Sequence, residues 1–443
     1  MTTLQNATPG ENRTLAGVTR TEALEAILAN FAPLEAVEVI LPASLGLVLA
    51  EDVTADINIP PFDNSSMDGY AIRSQDVAGA SADQPAMLKL IGYLNAGSAP
   101  RENDRVEPGT AYRIMTGAPI PPGADAVVRI EDTGEGKPLD KLRLQPQDSQ
   151  ALQVEIGADV VIYQGVGGGT NVRKAGGDIV KGTVVLRAGT LIRAAEIGVL
   201  ASVGKAIVKV HRRPRVVVLA TGDELVDVGE MPGPGQIRNT NSYAITAQVR
   251  SWGAEAFDIG IARDNRESLI GKLQEAIALQ PDLLVTSAGV SVGDYDIVKQ
   301  VLLELGTINM WRVRIKPGKP LAFGRLTESG LFFFGLPGNP VSSMVTMELF
   351  GRPVLMRMMG RADIYRSELT ARAIERIESS PGRENYIRAV VTQQADEYTA
   401  RTTGAQGSEI LTSMSKANAL IVVGEDVQFV ETGEKVRAIM LDQ

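Results

Sequence analysis

The chain has 443 residues, 44% of them apolar and 22% charged, which fits about three folded domains and excludes a disordered polymer. Its net charge is 44 − 53 = −9 with no basic block, which argues against nucleic acid, and no apolar run nears the roughly 18 residues of a membrane span. There is no cysteine and one histidine, His211, so disulfides and Cys-ligated metals are excluded, any metal site must use oxygen ligands, which points to Mg²⁺, and cytoplasmic location is the default.

Residues 1–14 are polar, lack the apolar core of a signal peptide and read as a disordered leader. Leu24, Ile27, Leu28 and Phe31 recur at helical spacing, which predicts an amphipathic packing helix over 19–31, capped by Thr19 or Thr21. Ala36–Leu41 reads as a strand and Leu45–Ala50 as a helical piece. The stretch PPFDNSSMDGYAIR (60–73) is a structured loop that places Phe62, Met67 and Tyr70 among turn residues; Asp68 stands in its Asp-Gly pair. Residues 75–150 are short β-like runs and turns. Within them RIMTGAPIPPGAD (113–125) is a proline-stiffened loop carrying Thr116. Residues 133–150 and GVGGGT (165–170) read as hairpin or linker material. A Gly-Gly-Asp turn follows at Asp178, then a helix over 190–204.

From residue 213 strands alternate with helices. The strand 216–220 leads into TGDEL, which holds Asp223 and Glu224. A helix over 239–252, with Tyr243, Ala247 and Val249–Trp252 inward, precedes the strand 256–262 and Asp264. A helix over 268–279 turns Leu269, Leu273 and Ile277 inward. Next comes DLLVTSAGVSVGDYD (282–296): a buried strand, a loop of small residues (Ser287, Gly289, Ser291, Gly293), then Asp294 and Asp296 before a helix over 297–305. A strand feeding a Gly/Ser loop into a helix start presents free N–H groups to a phosphate, the alternative being a plain strand-to-helix turn. Acids beside it suit a divalent metal shared with the phosphates. The strand 308–315 ends in the basic turn KPGKP, with Lys316 and Lys319. A hairpin, the turn GLPGNP (335–340) and a long apolar helix over 341–358 complete the region. This alternation predicts a parallel, doubly wound α/β domain, whose ligands bind at the carboxyl ends of the strands. Asp223, Glu224, Asp264, Asp294, Asp296, Lys316 and Lys319 all fall there. Residues 363–443 turn β-rich again.

The segments PFDNSSMDGYAIR, RIMTGAPIPPGAD, TGDEL, SAGVSVGDYD, IKPGKPLAFG, GLPGNPVS and TGAQGSEILTSM occur in this order. Together they resemble the molybdopterin molybdenumtransferase family, which includes the C-terminal part of gephyrin. The resemblance implies an elongated chain of α/β plus β class. It divides into a leader over 1–14, a connecting domain over 15–57 and 171–210 with its first helix packed on the α/β domain, a β-rich lasso domain over 58–170, a molybdopterin-binding α/β domain over 211–361 and a C-terminal β domain over 362–443. It also implies a homodimer, with adenylylated molybdopterin in a cleft on the α/β domain near the β domain of the partner chain. Molybdate is inserted and AMP released, with Mg²⁺. Handover to molybdopterin adenylyltransferase and to molybdoenzymes is implied as well.

By motif match, catalytic roles fall to Asp68, Thr116, Glu224, Asp264, Asp296 and Lys316, and metal contact to Asp178, Glu224, Asp264 and Asp296. Cofactor contacts fall to Ser287, Gly289, Ser291, Gly293, Arg312, Lys319, Pro337, Pro340 and Ser408. Two positions depart from the pattern: Ala288 stands where the family loop has Gly, and Arg312 where it has Lys. The alternatives are a gephyrin-like scaffold without catalysis, which would not need the acid set, and a molybdopterin adenylyltransferase, which would leave the MDGY loop unexplained.

Overall fold

The computed structural model describes residues 14–101, 103–135, 155–288 and 297–441. By contacts the chain forms two units. The first comprises the chain up to Glu51, Ala188–Ala194 and everything from Ile207; the second comprises Asp52–Arg187 and Ala195–Ala206. Much of the expected connecting domain therefore goes with the α/β region.

The first unit is built on a seven-stranded sheet. Its strands are β1 (Thr14–Val18), β2 (Arg215–Thr221), β3 (Glu255–Ala262), β4 (Leu283–Ser287), β5 (Gly306–Val313), β6 (Pro320–Leu326) and β7 (Phe332–Leu336), in spatial order β1-β5-β6-β7-β4-β2-β3. All neighbours are parallel except β6, which runs antiparallel to β5 and β7. The sheet is thus mixed, not purely parallel, because the hairpin β6–β7 sits inside it. β2 and β4 are buried from Val216 to Thr221 and from Leu283 to Ser287 without a break, and their apolar runs Val216–Ala220 and Leu283–Val285 are what strands covered on both faces require. Alternate residues then serve opposite layers. Val216, Val218, Leu283, Val285 and Phe334 join one core; Val217, Leu219, Leu284 and Phe333 join the other.

The helices are α1 (Arg20–Leu28), α2 (Asn241–Ser251), α3 (Arg266–Ala278), α4 (Ile297–Leu305), α5 (Pro340–Thr346) and α6 (Arg352–Met358). Thr19 starts α1 with a capping box: the Glu22 N–H donates to Thr19 Oγ1 at 3.2 Å and the Thr19 N–H to Glu22 Oε2 at 2.9 Å. Leu24, Ile27 and Leu28 of α1 are buried in the first core, each contributing roughly 1.5–3 kcal/mol. In α2 the inward residues are Ser242, Ile245, Thr246 and Val249; Tyr243 and Ala247 are exposed, against expectation. Ile277 of α3 is likewise exposed, while Leu269 and Leu273 are buried. The expected helix 341–358 is α5, a π-helical turn over Met347–Gly351, and α6. The piece 45–50 is not helical. A short 3₁₀ turn over Leu41–Ser44 precedes it, and Val48–Leu49 pairs with the strand Ile207–His211, which also takes Ala36–Ile40.

After α6 the strands Glu368–Ala373, Glu384–Gln394, Glu397–Thr402, Ala419–Val423 and Lys435–Met440 close into a ring, because Glu384–Gln394 pairs with both Glu397–Thr402 and Ala419–Val423. Closure removes open edges and gives this domain its own core. The start of Glu384–Gln394 also pairs in parallel with Ile315–Lys316.

The second unit holds a five-stranded sheet, in order Asp159–Ile162, Ala86–Leu94, Thr110–Ile114, Gly69–Ile72, Ala126–Arg129. The Gly165–Thr170 run is no free linker. The Gly165 N–H donates to the Ala80 carbonyl at 3.0 Å, the Gly169 N–H to the Asp125 carbonyl at 2.7 Å, and the Thr170 carbonyl accepts the Val127 N–H at 3.0 Å.

Candidate active site

In the first unit β2, β3, β4, β5 and β7 all end on one edge of the sheet, since they run the same way. That edge opens into a cleft of about 1530 Å³. Four strand ends supply its walls: Thr221 and Glu224 after β2, Ser287 and Ala288 after β4, Lys316–Pro320 after β5, and Pro337–Pro340 after β7. The N-terminal end of α2 adds Asn239–Asn241, and the C-terminal β domain adds Arg383 and Gln406–Glu409. Among the described residues the lining carries four cationic side chains (Arg238, Lys316, Lys319, Arg383) against two carboxylates, Glu224 and Glu409. In a protein of net charge −9 this local excess suits the described walls of the cleft to an anion.

Local geometry fixes these groups. Gly222 has φ +146°, and a Cβ there would lie 2.4 Å from Glu224 Oε2, so the missing side chain makes room for the carboxylate. Gly318 has φ +106°, and its Cβ would meet Thr346 Oγ1 at 2.4 Å, so the basic turn lies close on α5. Lys316 Nζ donates to Ser380 Oγ at 2.6 Å. Asn241 Nδ2 donates to Ser287 Oγ at 2.9 Å and to the Gly338 carbonyl at 2.6 Å, tying the end of β4 to the turn after β7. Asn339 Nδ2 donates to Ser408 Oγ at 2.9 Å, and the Val341 N–H to the Ser408 carbonyl at 3.1 Å.

Glu224, Ser287, Lys316, Lys319, Pro337, Pro340 and Ser408 thus line one cleft. Asp264 lies outside that lining. It is exposed, and its carboxylate accepts the Asp223 N–H at 3.3 Å while its own N–H donates to Asp223 Oδ1 at 3.1 Å. Arg312 does not line the cleft either: it falls between buried Trp311 and Val313 on β5 and is exposed to solvent. Gly289, Ser291, Gly293, Asp294 and Asp296 lie outside the described residues.

Asp68, Thr116 and Asp178 belong to the second unit. Asp68 Oδ1 accepts the Thr116 N–H at 2.7 Å and the Thr116 hydroxyl at 2.9 Å. These bonds, the backbone one first, hold its carboxyl below the usual carboxylate range. Asp178 is exposed on its turn, its N–H donating to the Ile59 carbonyl at 3.0 Å.

Arg238, Asn241, Asn339, Arg383, Gln406 and Glu409 were not anticipated. Asn241 had a local signal, Thr-Asn-Ser before an apolar helical run. Arg383 had none, since only the pairing of its strand with Ile315–Lys316 brings it to the lysines. Among the described residues no three acidic or histidine side chains come together to hold a metal. Glu224, at the end of β2, suits an ion that also takes oxygens from substrate phosphates, as Mg²⁺ commonly does.

Three family descriptions match in chain order: "MoeA N-terminal region (domain I and II)" over residues 18–204, "Probable molybdopterin binding domain" over 217–357, and "MoeA C-terminal region (domain IV)" over 370–441. The chain is 35% identical over 427 residues to Molybdopterin molybdenumtransferase 1 of Mycobacterium tuberculosis, covering 92% of this chain and 95% of the relative. It is 35% identical to the Molybdopterin molybdenumtransferase of a Nostoc species, covering 90% and 87%. The crystal structure of a molybdopterin biosynthesis MoeA protein from Pyrococcus horikoshii superposes with a TM-score of 0.77 at 31% identity, covering 96% of this chain and 99% of that one. By domain order, by identity along almost its whole length and by fold, the chain belongs to the molybdopterin molybdenumtransferase family.

Proposed function

We propose that this protein inserts molybdate into adenylylated molybdopterin and releases AMP, a step of molybdenum cofactor biosynthesis. The observation that carries the reading is the cation-rich cleft at the carboxyl edge of the sheet, in a chain of this family. The reaction brings a molybdate dianion to a phosphate-bearing pterin. Two anions repel, and the cost is offset only by fixed cations and hydrogen-bond donors. Lys316, Lys319 and Arg383 supply charge. Ser408 Oγ already accepts Asn339 Nδ2, so its proton is free for an oxyanion. No protein nucleophile is needed. The residues hold the reactants together while water or a molybdate oxygen attacks the phosphorus and displaces AMP, and the two dithiolene sulfurs take molybdenum as it gives up oxygen to that phosphorus or to water.

Glu224, with Asp296 and Asp264, is the proposed ligand set for a Mg²⁺ ion that arrives with the substrate phosphates. When bound it would polarise phosphoryl oxygens. Turnover is expected to need Mg²⁺ or Mn²⁺; loss with a zinc-selective chelator, restored by zinc alone, would overturn this. Asp68, Thr116 and Asp178 are proposed to act in the same reaction. The working form is proposed to be a cytoplasmic homodimer that passes its product to molybdoenzymes. Light scattering that finds only a 47.2 kDa species at micromolar concentration would count against the dimer. Among the described residues no helix is long and apolar enough to cross a membrane.

The deciding assay mixes protein, adenylylated pterin and molybdate and follows AMP. A scaffold gives none, and an adenylyltransferase would consume a nucleoside triphosphate instead. Lys316→Ala should raise the molybdate needed for half-maximal rate about 10- to 150-fold, the value of one charge-assisted contact of roughly 1.5–3 kcal/mol. An unchanged molybdate requirement would remove Lys316 from the oxyanion site.

A further inference from the structure

We infer that Arg113 is a positioning residue, which fixes the Asp68–Thr116 pair of the second unit so that the Asp68 carboxylate meets the substrate in one orientation. The inference rests on the proposed role of Asp68 in molybdate insertion. Asp68 is anchored through one oxygen: Oδ1 takes the Thr116 N–H and hydroxyl, which leaves Oδ2 for a substrate donor. Both residues are exposed, Asp68 just before the strand Gly69–Ile72 and Thr116 just after Thr110–Ile114.

Arg113 ties those two strands together beneath the pair. It is the cross-strand partner of Tyr70, and its guanidinium lies over the Tyr70 ring, 5.3 Å from the centroid. Its Nη1 donates to the Gly69 carbonyl at 3.1 Å and to the Ile114 carbonyl at 3.3 Å. The first carbonyl belongs to the residue after Asp68, the second to the residue two before Thr116. One group thus grips both chains that carry the pair. Nε faces Glu135 Oε2 at 3.2 Å, and the same oxygen accepts the Tyr70 hydroxyl at 2.8 Å. Glu135, in the stretch read as hairpin or linker, holds the arginine from behind.

Stability alone does not call for this group. Tyr70 is 1% exposed, and the Arg113 and Glu135 side chains are 13% and 21% exposed. An ion pair so far withdrawn from water gives up hydration, and apolar residues of like volume are often as stable. What they lack is a donor that reaches both carbonyls. The other side of Asp68 is already pinned. Its carbonyl accepts the Ile130 N–H at 3.1 Å, and a Cβ on Gly69 would lie 1.9 Å from the Val128 carbonyl oxygen. Arg113 fixes the side that remains. Its charge also adds, after the two Thr116 bonds, to what holds the Asp68 carboxyl below the usual range.

The test uses the full-length protein with Arg113→Met, Arg113→Lys and Glu135→Gln, each alone and combined with Asp68→Asn. AMP release at saturating adenylylated pterin and molybdate gives kcat, and the Thr116 amide-proton shift followed against pH reports the bond to Asp68. Arg113→Met should lower kcat about 10- to 100-fold, as a small misplacement of a reacting group does. Arg113→Lys keeps the charge without the fork and should recover only part. Glu135→Gln loosens the arginine without touching the Asp68–Thr116 pair. It should lower kcat about 3- to 10-fold, the order of one hydrogen bond, and it decides the matter if Arg113→Met does not fold. In the Asp68→Asn background each loss should shrink below about twofold, because the arginine then has no carboxylate to position. The Thr116 shift should inflect at higher pH in Arg113→Met than in the wild type. Losses of equal size with and without Asp68, or an unchanged kcat in a folded variant, overturn the inference. If the wild type releases no AMP, the proposed function fails; in that case, or if Asp68→Asn leaves no turnover, the Thr116 titration decides alone, and an unmoved inflection overturns the role of Arg113.

Discussion

Ala288 sits at the end of β4 with φ +78°, in the left-handed region that β-carbons disfavour. The cost for a non-glycine residue is roughly 1–2 kcal/mol. Ala288→Gly relieves it but frees the unfolded chain, which returns roughly 0.4–1 kcal/mol. A net gain of about 0.5–1 kcal/mol is expected in urea denaturation; a loss would show that the alanine is not strained. The departure from the family loop was plain in the sequence, but its backbone angle was not. Asp68 makes a second case. Its carboxyl lies below its unfolded value of about 3.9, so the bond to Thr116 is complete above that pH and is lost as pH falls through the lower folded value. The Thr116 amide-proton shift should stay level down to about pH 4 and move only below it. An inflection near pH 5 would contradict the assignment, and Asp68→Asn should abolish the titration.

Among the elements, α1 was legible in its existence and its apolar stripe, which meets the core as spaced, while the structure selects Thr19 over Thr21 as the cap, adds Glu22 to it and ends the helix at Leu28. Thr19→Ala should cost about 1 kcal/mol in chemical denaturation, and no change would mean the capping box is idle. By contrast β1 was missed. Thr14–Val18 holds an alanine and a glycine and has no partner nearby in sequence, since it pairs with Met310–Val313. The helical reading of 45–50 failed for the same reason: Val48–Leu49 becomes a strand because Val210–His211 offers it an edge. Local signals reveal caps, turns and amphipathic faces; an element whose conformation is decided by a distant partner carries no mark of its own.

At the scale of the molecule, the α/β cleft was legible as a set of strand ends, because acids, lysines and small residues follow apolar runs. Asp264 and Arg312 show where that logic stops. Falling near a strand end does not say whether a side chain turns into the cleft: Asp264 lies in an exposed exchange of hydrogen bonds with Asp223, and Arg312 obeys the alternation of its strand. The contribution of the C-terminal β domain was visible only as Ser408, because Arg383 is brought to the site by the pairing of the strand that follows it.

The outermost place of β1 in the sheet has a consequence for handling the protein. It caps β5 along Met310–Val313, whose main-chain groups on that side have no other strand to meet. A version cut back to begin at Thr19 would bare that rim as a template for another copy. Such a version should form concentration-dependent large species in size-exclusion chromatography while the full chain does not. Short N-terminal tags that leave Thr14–Val18 intact are therefore the safe choice, and cleavage sites inside that stretch invite self-adhesion.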